Sequence, residues 1–250
     1  MDASGISGRF IGPHDIIGFV DQSLGPSSLL AQVSTLRFPP APLNAAHYRE
    51  VFNRLSAVGT FNFAVAGDGV ELATPPRESG DAMKVTIGRD AVQVSFDPTS
   101  KSADFAAEEL LVILKEVAAV LPIPVFVHQT HVLRKLFPLG GPHPDARAFL
   151  LQGVVSLPQE RLASWKRGFA AVGLRFVFAP QQMNDLSAHD LKIESFLPDP
   201  AKLFVEDTAS FLVPMPAGQW DQLKDHLAEA NRFLDDYTAT LLRGRLSPDA

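Results

Sequence analysis

The stretch NAAHYREVFNRLSAVGTFNFAVAGDG, residues Asn44 to Gly69, decides the fold class, because hydrophobic periodicity changes within it from that of a helix to that of a strand. Tyr48, Val51, Phe52 and Leu55 recur at the i, i+3, i+4, i+7 spacing of one helical face. Asn44 stands where an N-cap side chain would accept hydrogen bonds from the first free amides, and Gly59 stands where the helix would stop. Phe61, Phe63 and Val65 then alternate with Asn62 and Ala64, the pattern of a strand with one buried face, before the turn Ala66-Gly67-Asp68-Gly69. A helix with one apolar face followed at once by such a strand needs a sheet to pack on, and a hairpin is the natural continuation.

Working outward, Gln32 to Phe38 reads as a short strand, with Val33 and Leu36 apolar and with Pro39, Pro40 and Pro42 ending it by removing backbone donors. Downstream, Pro75, Pro76, Ser79 and Gly80 signal a loop. A second hairpin follows, with Val85 and Ile87 on one side of a turn at Gly88 to Asp90 and Val92, Val94 and Phe96 on the other. Ala103 to Leu121 carries Leu110, Leu114, Val117 and Leu121 on one stripe and is stopped by Pro122 and Pro124, so a helix is expected there. Val125 to Val127 reads as a short strand.

Gly140, Gly141, Pro142 and Pro144 form the densest cluster of breakers, and the order of elements restarts after it. Phe149 to Leu157 reads as a strand. Pro158 opens a helix with the face Leu162, Trp165, Phe169 and Val172, ended by Gly173. Leu174 to Phe178 is a strand, and Leu191, Ile193 and Leu197 pair with Leu203 and Val205 across the turn Pro198-Asp199-Pro200. A long helix closes the chain. The expected fold is α+β: two tandem strand-helix-strand-hairpin-helix halves, a mostly antiparallel sheet, and helices packed on one face. The expected organisation is an N-terminal arm over 1–30, a first half over 31–139, a linker over 140–147 and a second half over 148–245. Few identical residues align between the halves, and a chance alternation of elements would look the same.

With 46% apolar residues and both charge signs scattered, the 250-residue chain falls in the globular range rather than the disordered one. A formal net charge of -6, with Lys and Arg nowhere in a run, disfavours nucleic acid as a partner. The chain has no cysteine, which excludes disulfides, thiolate metal sites and a thiol nucleophile. No run approaches the roughly 18 apolar residues of a membrane crossing, so no membrane partner is expected and a cytoplasmic location follows by default. Phe10, Ile11, Ile16, Ile17, Phe19 and Val20 make the arm apolar enough to pack on the body or on a neighbouring subunit.

The chain carries neither a phosphate-cradling glycine loop nor a Gly-x-Ser-x-Gly elbow. The one cluster that suggests chemistry is His128, His131, His143 and Asp145, since imidazoles and a carboxylate suit a transition metal. On a strand, His128 and His131 point to opposite faces and cannot share an ion; on a helix they share a face. No metalloenzyme spacing is matched, so ordinary histidines are the preferred origin. No metal, cofactor or catalytic residue is assigned, and these four remain candidates only. The pairs Glu206 with Asp207 and Asp235 with Asp236 read as solvated charge, and Asp185 and Asp190, near His189, as turn residues.

The last helix carries Trp220, Leu223, Leu227, Ala230, Leu234, Tyr237 and Leu241 at alternating spacings of three and four, a heptad seam. It either packs on the chain's own sheet or, if it projects, forms a homodimer or receives another protein.

The opening strand and its prolines, Val33-Ser-Thr-Leu-Arg-Phe-Pro-Pro40, the strand-rich middle and the terminal helix from Ala228 to Leu241 together resemble a sporadically distributed family of uncharacterised bacterial proteins of similar length. That resemblance implies a soluble bacterial protein with no assigned activity and no catalytic residues to carry over. The expected function is a non-enzymatic intracellular interaction or ligand-holding module that self-associates. The alternative is a small-molecule-binding enzyme or sensor with its site between the two halves.

Overall fold

The computed structural model describes residues 24–75, 78–141, 144–180 and 187–243. It is an α+β fold built on one nine-stranded sheet in which every neighbouring pair is antiparallel. The strands are β1 (Ser28–Arg37), β2 (Asn62–Ala66), β3 (Gly69–Ala73), β4 (Met83–Ile87), β5 (Ala91–Phe96), β7 (His128–Pro138), β8 (Gly173–Phe178), β9 (Ser187–Ser195) and β10 (Lys202–Phe211). Their order across the sheet is β2-β3-β4-β5-β1-β7-β10-β9-β8, and β6 (Val125–Phe126) pairs separately with β11 (Met215–Pro216). The helices are α1 (Ala45–Val58), α2 (Ala103–Val120), α3 (Ala146–Ala148), α4 (Gln159–Ser164) and α5 (Trp220–Arg243).

Local chemistry sets the ends of the expected helices. The Asn44 side chain accepts from the backbone N–H groups of Ala46 and His47, while the His47 ring accepts from the Asn44 N–H, a reciprocal cap on α1. Ser102 caps α2 by accepting from the Phe105 N–H. Tyr48, Val51 and Leu55 of α1 and Leu110, Leu114 and Val117 of α2 are buried, as the spacing of their apolar residues requires.

Burial alternates along each inner strand, so one face of the sheet lies under helices while the other is half exposed. The open face carries ion pairs: Glu206 accepts from Arg134 at 2.7 Å and from Lys192 at 2.5 Å, and Arg134 also reaches Asp97 at 3.0 Å. Burial alone would push the Glu206 carboxyl up, but the hydrogen bonds and charges of Lys192 and Arg134 together hold it below the usual carboxylate range. No helix among the described residues is long and apolar enough to cross a membrane.

Three sequence expectations are corrected. Residues 149–157, expected as a strand, are not extended: α3 runs on into a π-helical turn, Phe149–Val154, whose Phe149 and Leu150 are fully buried. The helix expected from Pro158 to Gly173 ends at Ser164; Lys166 has a φ of 51°, outside the helical region, and Gly173 begins β8. Of its expected face Leu162 is buried, whereas Trp165 is 53% exposed. The extended segment after Val125 does not stop at Val127 but continues as β7, a strand at the centre of the sheet. The expected linker, 140–147, contains two residues outside the description and the N-cap and first two residues of α3. Of the expected arm, residues 1–23 lie outside the described residues, Leu24 bridges Leu139, and Ser28 to Leu30 belong to β1.

Candidate functional site

Near the middle of the sheet, Gln32 of β1 lies directly opposite Leu133 of β7. Above this pair α2 and α5 run side by side, and where they approach each other they carry small residues: Ala103 and Ala107 on α2, Ala228 on α5. Alanines leave room that leucines would fill. The result is a cavity of about 300 Å³ with Gln32 and Leu133 contributing to its lining from the sheet, Leu111 and Leu227 from the helices, and Asp104, Glu108 and Lys224 adding charge. Its size is at the lower end of small-molecule sites.

Gln32 is 1% exposed, and its Nε2 has no hydrogen-bond partner among the described residues. Asn231, which lines the same cavity from α5, has a buried Oδ1 that also lacks one. A buried amide group left without a partner costs about 1–3 kcal/mol. Both residues line one mostly apolar cavity, although the two unpartnered atoms themselves are closed off from it, each exposing less than 1 Å².

Further polar side chains lie between the sheet and α5. His131, completely buried, shares a 2.9 Å hydrogen bond with Ser34 through Nδ1, and its Nε2 has no partner among the described residues. Burial, assisted by nearby His226, pulls its pKa down to about 3, so it is neutral at ordinary pH. His226 of α5 stacks on Phe211 at 4.2 Å and hydrogen-bonds the Gln129 side chain at 3.0 Å. His189 and Asp207 are joined by a 2.8 Å hydrogen bond, and His189 stacks on Phe233 at 3.6 Å. Burial pushes the Asp207 carboxyl up, with the His189 hydrogen bond opposing it only in part. Lys135 donates to Asp235 at 2.7 Å, and Ser27 donates to the other oxygen of Asp235.

The structure does not gather the four candidate metal ligands. His131 points into the buried face of β7, while His128 lies on the opposite face, where its Nε2 is 3.4 Å from the Thr130 hydroxyl. Strand alternation thus keeps the two histidines apart. Asp145 caps α3 and pairs with Arg147 at 2.7 Å, and His143 lies outside the described residues. No group of three or more potential metal ligands occurs among the described residues.

The heptad seam of α5 faces inward. Leu223, Leu227, Ala230 and Leu234 are core residues, Trp220 and Leu241 pack at its margin, and Tyr237 is 38% exposed. Of the leucines expected at an interface, Leu223, Leu227 and Leu234 are buried within the chain, and Leu241 is partly buried. Glu206 and Asp207, read as solvated charge, are divided by the strand: Glu206 joins the open-face ion pairs and Asp207 is fully buried. His189 and Asp190 lie on β9 rather than in a turn, and Asp185 is outside the description. The sequence reading missed Gln32, Asn231 and the polar residues under α5. The available signal was a polar residue at an inward position of an apolar pattern, as at Gln32 in β1.

A second concavity, an open groove of about 700 Å³, runs between α1 and the β2–β3 hairpin. Tyr48, Phe52, Phe63 and Val65 give it an apolar surface. All five residues of β2, one edge of the sheet, are exposed, Val65 to 76%.

No protein-family model matches this chain, and no curated protein is significantly similar to it in sequence.

Proposed function

We propose that the chain is a non-enzymatic, ligand-holding module whose small-molecule site is the cavity between α2 and α5. The observation that carries this is the cavity itself: about 300 Å³ between α2 and α5 over the middle of the sheet, mostly apolar, with Gln32, Asn231 and three charged side chains among its lining.

The site then lies at the junction of two tandem halves if their boundary is moved from the expected 140–147 to a point before β7, so that the halves run from β1 to α2 and from β7 to α5. Support for the duplication comes from order. Each half begins on a strand at the sheet's centre, passes through helix to an edge strand, returns by an antiparallel meander to the neighbour of its first strand, and finishes with a long helix. The two first strands are adjacent and antiparallel, as a local two-fold axis between equivalent strands would place them. Four meander strands on one side against three on the other are the difference to be explained.

The test is to fill the cavity. Small compounds that raise the melting temperature of the wild type should not raise that of Ala228→Trp, whose indole would occupy the space. Compounds that stabilise both proteins equally, or an absence of any stabilising compound, would defeat the proposal.

A specific observation also favours self-association, through a different surface from the α5 seam. Edge strand β2, Asn62-Phe-Ala-Val-Ala66, has neither a charge nor a proline to block pairing with another strand, and Phe63 and Val65 are exposed on it. Light scattering behind a sizing column is the check. A dimer that becomes a monomer in Val65→Lys supports the reading, and a wild type that is monomeric at high micromolar concentration sinks it.

A further inference from the structure

We infer that edge strand β2 pairs antiparallel with β2 of a second copy about a two-fold axis at Ala64, so that the partner's Phe63 and the partner's Val65 cover the groove beside α1; this rests on self-association through that edge. Three features of the edge lead there. The first is which backbone groups it leaves open. Gly67 and Asp68 form a two-residue turn, so Ala66 and Gly69, which flank it, are a hydrogen-bonded pair. Counting back in twos, Ala64 and Asn62 also turn their N–H and C=O groups toward β3, while Phe63 and Val65 turn theirs toward the open edge. An antiparallel copy of the same strand must set outward-turned residues opposite outward-turned ones, which puts the axis on a residue and not between two. An axis at Ala64 is the one that pairs all five residues of the strand, with Asn62 opposite the partner's Ala66, Phe63 opposite the partner's Val65, and Ala64 opposite the partner's Ala64.

The second feature is where the side chains stand. Phe63 and Val65 lie opposite Leu72 and Val70, both buried, so they are on the face that carries α1, where Phe63 meets Phe52 edge-on at 5.6 Å. The groove therefore opens over the free edge, and a strand added there sets its own inward side chains along that opening. In the Ala64 register each inward pair is an aromatic opposite a β-branched residue, a favourable cross-strand combination. The third feature is charge. A two-fold axis brings every group near it up against its own copy, and like charges directly opposite repel. β2 has no charge to repel. The opposite edge, β8, carries Arg175 beside its midpoint with the side chain 62% exposed, and any register that pairs most of β8 brings Arg175 within two residues of its own copy. Of the two sheet edges, β2 is the one suited to pairing with itself.

The chain has no cysteine, so an introduced thiol can join only its counterpart in another copy. Asn62→Cys, Ala64→Cys and Ala66→Cys are made singly in the full chain and oxidised in a glutathione buffer. Covalent dimer is read on a non-reducing gel, and the state of the wild type by light scattering at the same concentration. With the axis at Ala64, the two Cα atoms of that residue lie about 4.5 Å apart, inside the range a disulfide spans. The two Asn62 Cα atoms, and likewise the two of Ala66, lie about 14 Å apart, far outside it. Ala64→Cys should link and the other two should not, while an equal mixture of Asn62→Cys and Ala66→Cys should link as a heterodimer. All three positions are exposed, so random collision would link them alike, and that result overturns the register.

Linking of Asn62→Cys with Ala64→Cys, or of Ala64→Cys with Ala66→Cys, while Ala64→Cys alone stays unlinked, moves the axis to Phe63 or Val65. That also overturns the register and leaves association through the edge standing. A wild type that is monomeric at high micromolar concentration, or a dimer that persists in Val65→Lys, removes the edge association and this inference with it. If the wild type is monomeric and its Phe63 and Val65 amides gain protection from exchange on adding an alternating valine-threonine peptide, the edge receives a strand of another chain instead. The light-scattering measurement needs no variant, so a misfolded cysteine variant does not rescue the proposal.

Discussion

One row of inward-facing side chains crosses the sheet through Leu72, Val85, Val94, Ser34, His131, Ala209 and His189, each directly opposite the next. On the β2–β5 flank this row, with Val70, Ile87, Val92 and Phe96, is wholly apolar and fully buried under the helices. On the β7–β10–β9 flank, under α5, it turns polar, joined by Gln129, Lys135 and Asp207. The strand-and-helix framework is similar; the interior chemistry is not. Apolar burial stabilises by about 25 cal/mol per Å². Buried polar groups tend to cost as much as they return, unless their partners are complete. The apolar flank therefore accounts for stability, and the polar flank is where a fold tolerates cost for geometry or function.

The sharpest way to break this comparison is to leave one polar partner stranded. His189→Ala would strip Asp207 of its hydrogen-bond donor in a site with no solvent, and should cost about 3–5 kcal/mol in urea unfolding. Replacing both members, His189→Leu with Asp207→Leu, should cost far less or stabilise, because it extends the apolar row across the sheet. A double variant as unstable as the single one would show that the pair is needed for packing rather than merely tolerated.

A pH titration of stability separates the flanks next. His131 has a native pKa of about 3, below its ordinary 6.5, so between those values the unfolded chain binds the proton and the native chain does not. Stability is complete above pH 6.5 and should fall by about 1.4 kcal/mol per pH unit below it, until the native His131 titrates. His226, also depressed by burial, adds in the same direction. Asp207, raised by burial, opposes both at the acid end, because its native form takes up a proton before the unfolded one. The variant Ser34→Ala with His131→Leu should have a shallower slope. An unchanged slope would place the acid sensitivity elsewhere.

The smallest effect belongs to the open face. Lys192→Met removes one of two cations from Glu206, and Arg134 stays in place, so the loss should be below about 1 kcal/mol and shrink further with added salt. A loss as large as that from His189→Ala would erase the distinction between the covered and open faces.

How much was legible varies with the same contrast. On the apolar flank α1, its caps and the β4–β5 hairpin follow from the order of residues, since inward positions are apolar and outward ones polar, whereas β2, expected to bury the face of Phe63 and Val65, is an edge strand exposed along its whole length. β7 defeats that rule. Its inward side is Gln129, His131, Leu133, Lys135 and Phe137, its outward side includes Val132 and Leu136, and no alternation of hydrophobicity survives. Phe149 to Val155 failed for the opposite reason: a short, nearly continuous apolar run is equally a buried strand or a buried helix.

The sequence by itself determined the amphipathic elements whose faces differ in polarity, their caps and turns, and the lack of thiol chemistry. Those depend on neighbours within a few residues. Only the tertiary structure decided that the strands form one sheet, that the α5 seam closes on it, and that Gln32 and Asn231, about 200 positions apart in the chain, line one cavity. Contacts such as His131 with Ser34 or Ser27 with Asp235 join residues 97 and 208 positions apart. Periodicity carries no information over such distances, because it records which side of an element is buried and not which element lies against it.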